Sequence, residues 1–159
     1  MSESDFSRNH NRDRSLAKGI AAGLIGGLVG VVAKTLAERM FPPHAEHDAR
    51  EALAEQVTGH ALAPATRAVA AEGIHWTFGA ATGAAYGALA EFYPAATAKE
   101  GAAFGMALES LTHETALPAL GISLPIGDQT TRERVGELTT HVVYGLTVEF
   151  VRRLVRKVL

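Results

Sequence analysis

LAKGIAAGLIGGLVGVVAKTLAERMF, residues 16–41, decides the fold. As a helix it exceeds the roughly 20 residues that cross a hydrocarbon core. Its glycines at 19, 23 and 27 recur every four residues. In water each interior Gly would cost roughly 1 kcal/mol relative to Ala, whereas between membrane helices it lets backbones approach where lipid gives no hydrophobic drive for association. The stretch has no convincing small-residue cleavage site, so it reads as an uncleaved first helix rather than a signal peptide. Pro42 and Pro43 end it.

On its N-terminal side, residues 1–15 are polar without an apolar pattern and are expected to form a disordered tail. On the other side, residues 42–65 form the most charged stretch, a periplasmic loop with room for a short amphipathic helix. Three further apolar segments follow, predicting helices over about 66–93, 99–118 and 132–158. Gly79, Gly83 and Gly87 repeat the four-residue spacing in the second helix, and Gly101 and Gly105 begin it in the third. The predicted fold is all-α: one domain over 16–159, a four-helix transmembrane bundle with an amphipathic loop helix between helices 1 and 2. A soluble four-helix bundle is the competitor, kept open by a mean hydropathy of +0.08.

Fifteen Lys and Arg against seventeen Asp and Glu give no overall attraction to nucleic acid. The absence of Cys removes disulfides, thiolate metal sites and thiol catalysis. Basic residues orient the bundle: Arg8, Arg12, Arg14 and Lys18 precede helix 1, Lys99 joins helices 2 and 3, and Arg152, Arg153, Arg156 and Lys157 end helix 4. By the positive-inside rule both termini face the cytoplasm. The expected partner is the lipid bilayer, with a homo-oligomer or a membrane-protein partner open and nucleic acid excluded.

The chemistry lies in three His residues inside apolar segments. Glu109 and His113, like Glu137 and His141, are four residues apart, and Glu72 precedes His75 by three, so each pair shares a helix face. The topology places His75, His113 and His141 at similar depth in the outer half of the bilayer. The Gly faces then turn these groups, with Lys34 from helix 1, toward the bundle interior, their cheapest location. The expected buried polar layer is His75, His113, His141, Glu137, Glu109, Glu72 and Lys34. It reads as a hydrogen-bonded network, as a proton-responsive element, or as a metal or haem site. The metal reading takes His75, His113, His141 and Glu137 as ligands for Zn or Fe; against it, di-iron bundles use Glu-x-x-His, a spacing only Glu72 and His75 have. No catalytic residue or required cofactor is predicted, and the expectation is a protein that is not an enzyme. Glu91, Glu149, Arg152 and Arg153 are expected to be surface ion pairs.

From Ile74 onward the chain resembles the YagU family of bacterial inner-membrane proteins, a domain family of unknown molecular activity. The matching features are His75, Tyr86 and AEFYP ending in Pro94; Gly101, Gly105, His113, Pro118, Gly121 and Pro125; and Glu133, Glu137, His141, Glu149, Arg152 and Arg153. The first helix with Pro42 and Pro43 is similar too, and the middle loop is not. The resemblance implies an integral protein of the inner membrane that contributes to acid resistance. It implies no role for Glu72 or Glu109.

Overall fold

The computed structural model describes residues 14–40, 46–123 and 126–159. The tail through Asp13, the helix-ending Pro42 and Pro43, His44 and Pro125 lie outside the described residues. Five helices account for most of the rest, and no strand occurs among the described residues. Helix α1 spans Leu16–Met40, α2 Glu46–Thr58, α3 Pro64–Phe92, α4 Ala102–Leu111 and α5 Thr131–Val158. At 1.5 Å per residue, α1, α3 and α5 are about 37, 43 and 42 Å long.

Local chemistry sets the boundaries. Pro64 occupies the first turn of α3, where its missing N–H costs nothing. Thr130 caps α5 with a reciprocal box, its side chain accepting from the Glu133 N–H while the Glu133 carboxylate accepts from the Thr130 N–H. The third apolar segment was expected to be helical from 99. Lys99 and Glu100 instead adopt left-handed backbone (φ 53° and 58°) and Gly101 follows at φ 89°, so the chain reverses there and α4 begins at Ala102. At its far end α4 passes into a π-helical turn, Thr112–Ala116, and one more turn, Leu117–Ala119. Pro118 has no N–H to give an i−4 carbonyl, and the Leu117 N–H reaches back five residues to the Thr112 carbonyl.

Helix α1 runs antiparallel to both α3 and α5, which therefore run parallel to each other, and α4 runs antiparallel to α5. Gly19, Gly23 and Gly27 of α1 meet Gly87, Gly83 and Gly79 of α3 backbone to backbone. A Cβ on Gly23 would overlap the Gly83 carbonyl, and one on Gly87 the Gly19 carbonyl. The opposite side of α1 lays Gly26 and Gly30 on Val148 and Tyr144 of α5, while Gly101 and Gly105 lay α4 on Gly145 and His141. Contacts this close are possible only without side chains.

What lies inside is unusual for a water-soluble domain. The buried apolar residues are few and mostly small, including Ala22, Val31, Ala54, Tyr86, Tyr144 and Val148. Lys34, Glu109, Glu137, Thr140, His141, Glu149 and Arg152 are buried with them. Large apolar side chains point outward along every helix, among them Leu28, Phe78, Met106, Leu146 and Phe150. By length and composition, α1 alone among the described residues is apolar enough to cross a membrane, with a mean hydropathy of 1.9 over its best window.

Candidate functional site

Helix α5 carries the site on one stripe. Glu137, Thr140, His141, Tyr144, Gly145, Val148, Glu149 and Arg152 are all buried, and their three- and four-residue spacing is that of a single helical face. Glycines hold that face against its neighbours. Gly105 rests on the His141 carbonyl, and two turns further along the α4 segment the π-helical turn delivers His113 to the same place.

His113, Glu137 and His141 converge there, with one ligand-type atom from each within 4.8 Å of the others. The two imidazoles meet edge to face with centroids 4.9 Å apart. The Glu137 carboxylate lies between them, its Oε2 3.8 Å from His113 Nε2 and 3.9 Å from His141 Nδ1. His141 Nδ1 is also 2.8 Å from the Glu137 carbonyl oxygen. A carbonyl only accepts, so Nδ1 carries a proton and Nε2 holds the lone pair of the neutral ring. The Thr140 hydroxyl donates to that same carbonyl at 3.0 Å.

The cluster borders a cavity of about 240 Å³ between the helices. Its apolar walls include Val31, Ile74, Phe78, Leu108 and Leu117, and α2 contributes Ala49, Arg50 and Leu53. His75, His113 and His141 all line it, as do Lys34 and Tyr144. Lys34 is held by Glu38 at 2.6 Å, and Arg50 reaches the other Glu38 oxygen at 3.6 Å, so α1 and α2 share one ion-paired corner. Tyr144 donates to the Gly79 carbonyl at 2.6 Å and lies 2.9 Å from the Thr82 hydroxyl, tying α5 to α3 at the cavity edge.

Of the seven residues expected in the polar layer, the structure brings three into contact. Lys34 and His75 face the same cavity without joining the cluster. Glu109 is buried but lies off the cavity, accepting from the Ser110 hydroxyl at 3.4 Å. Glu72 does not belong to the layer: seven residues before Gly79 it shares that glycine's face of α3, but at this end of the helix Ala71 is buried and Glu72 is exposed. His75, four residues before Gly79, is half-buried.

The largest departure from expectation is at the other end of the bundle. Glu149, expected on the surface, is 1% exposed and receives four hydrogen bonds from three side chains. The Tyr86 hydroxyl donates at 2.8 Å, Arg152 donates through Nε and a terminal nitrogen at 2.7 and 2.9 Å, and Arg153 donates at 2.5 Å. Arg153 also pairs with Glu100 in the left-handed turn, and Arg156 pairs with Glu91, which takes the Ser15 N–H as well. The signal was present in the sequence: Glu149 continues the four-residue spacing of Glu137, His141 and Gly145, and Arg152 follows one turn later. Phe104 stacks on Tyr86 at 4.3 Å, sealing this ion pair inside.

Residues 28–150 match the model of a family described as Protein of unknown function (DUF1440). No curated protein and no solved structure matches the chain.

Proposed function

The chain belongs to the DUF1440 family, whose function is unknown, and from that premise we propose that it is an integral membrane protein whose polar interior is a binding chamber. The observation that carries this reading is the inverted polarity of the bundle. Leu28, Met106, Leu146 and Phe150 face outward while Lys34, Glu137, His141, Glu149 and Arg152 are buried inside. In water that arrangement forgoes apolar burial and buries charge. In lipid it is the low-energy arrangement, since intramembrane ionisable groups face the interior and pair there. It also accounts for part of the low net hydropathy of α5, since Glu137, Glu149 and Arg152 lie on its buried stripe.

Four crossings then place both termini on one side, and the basic ends at Lys18, Arg152, Arg153, Arg156 and Lys157 make that side cytoplasmic. The cavity with His75, His113 and His141 falls toward the opposite face, roofed by α2. The YagU resemblance supports the bacterial inner membrane as the location and a contribution to acid resistance. Survival at low pH of cells lacking the chain, against cells complemented with it, tests the second point.

The topology test uses the natural absence of Cys. Single cysteines at Ser15 and at Gly127 are probed in intact cells with a membrane-impermeant thiol reagent. Labelling at 127 alone supports the reading. Equal labelling of both sites in lysates, from protein that alkaline washing releases from membranes, refutes it.

A further inference from the structure

We propose that His113, Glu137 and His141 bind a divalent first-row metal ion, held by two imidazoles and one carboxylate, with the cavity supplying the remaining coordination position. This inference rests on the chamber reading above and names what the chamber holds.

The donor set is a recognised one. Two His and one carboxylate hold Zn²⁺ in sites that keep an open position, and the same trio holds Fe²⁺ facially. Thiolate alternatives are absent from the chain. A tetrahedral ion with ligands at about 2.0–2.1 Å separates its donors by roughly 3.3 Å. His113 Nε2 and Glu137 Oε2, 3.8 Å apart, need little movement. With all three ligand atoms within 4.8 Å of one another, the donors must close by at most about 1.5 Å, which a χ rotation of the His113 imidazole supplies.

The His141 ring is held by its backbone partner, so the closing rotation falls to His113. With Nδ1 hydrogen-bonded to the Glu137 carbonyl, His141 offers Nε2, and a ligand imidazole that gives its other N–H to a backbone carbonyl is the usual arrangement at metal sites. The π-helical turn beneath His113 is the kind of local irregularity that helices retain at functional positions. Permanent cations do not oppose the ion unchecked: Lys34 and Arg50, which line the same cavity, are both held on Glu38. Haem fits poorly, because rings with centroids 4.9 Å apart in an edge-to-face contact leave no space for a macrocycle between two axial ligands.

The test is equilibrium dialysis of the full chain in detergent against Zn²⁺ alone and, anaerobically, against Fe²⁺ alone, with bound metal counted by elemental analysis. One ion per chain is expected, with Zn²⁺ bound more tightly than Fe²⁺. His113→Ala, Glu137→Gln and His141→Ala should each weaken binding by at least the roughly 10-fold that even an outer-shell change costs. A variant with His44, His47 and His60 all replaced by Ala should bind as the parent does. Because an Ala variant could fail to fold, Glu137→Gln, nearly isosteric, is also melted with and without Zn²⁺: the ion should raise the parent's melting temperature and leave that variant's unchanged. Failure of both ions to bind, or binding that survives in the cluster variants and disappears in the triple variant, overturns the proposal. A membrane-inserted protein that binds neither ion sinks the metal inference alone; a protein that is water-soluble sinks the chamber reading first.

Discussion

Adding one methyl group at Gly83 and one at Gly73 should change stability in opposite directions. A Cβ on Gly83 would lie 2.5 Å from the Gly23 carbonyl oxygen, 2.6 Å from Gly27 Cα and 2.8 Å from Gly27 N. Ordinary contact begins at 3.4 Å, so α1 and α3 must separate by about 0.9 Å. All three obstacles are backbone, and none can rotate aside. A gap of that size forfeits a quarter to a half of the dispersion attraction along the contact, and overpacking of this kind costs up to about 3 kcal/mol. The better helix propensity of Ala returns about 1 kcal/mol. The net loss for Gly83→Ala is then about 2 kcal/mol, a fall in melting temperature of roughly 4–8 °C for a chain of this length. Gly73 lies in the same helix with nothing within 4 Å of its would-be Cβ, so Gly73→Ala keeps the propensity gain and melts higher. Thermal melts in one detergent, followed by far-UV circular dichroism, compare the two. Equal effects, or a stabilised Gly83→Ala, would refute the claim that carbonyl-to-backbone contact sets the α1–α3 distance.

Four other substitutions probe the buried ion pair, a tie between helices and the cap of α5. Glu149→Ala removes the carboxylate that holds Arg152, which is 9% exposed, and leaves a buried charge uncompensated, at a cost of about 3–5 kcal/mol; Glu114→Gln, which loses only a 3.9 Å contact to the exposed Arg134, should melt like the parent. Tyr144→Phe deletes the donor to the Gly79 carbonyl and should cost about 1 kcal/mol in denaturant titrations while leaving the secondary structure intact. Thr130→Ala opens the capping box of α5 and should cost about 1 kcal/mol, with faster amide exchange confined to the first turn after Thr130.

The helices were legible because Gly and Pro punctuate this chain strongly. Pro94 and the Gly-rich repeats located α1 and α3 to within a few residues, and the four-residue Gly spacing marked the faces that meet. The α4 start was missed because Lys99 and Glu100 have no compositional sign of left-handed backbone; only the contact of Gly101 with Gly145 across the bundle requires the turn. In the site, the four-residue interval joined Glu137 to His141 and put His113 on an inward face. The same interval counted within one helix could not exclude Glu72, which shares a face with Gly79 yet lies where Ala71 is the buried residue of α3. Glu149 was misjudged for a different reason: its Arg neighbours sit where charge-rich helix ends are usually solvated, and its burial arises from Tyr86 and Phe104 on other helices.

The account stands on lipid facing the outer surface of these helices. Spin labels placed singly at Leu28, Met106 and Leu146, in protein reconstituted into liposomes, report collision with oxygen and with a water-soluble nickel chelate. Frequent oxygen collisions and rare nickel collisions at all three positions are the predicted result. Nickel access at these sites equal to that of a label on the α2 surface at Gln56 would mean that water, not hydrocarbon, surrounds the bundle.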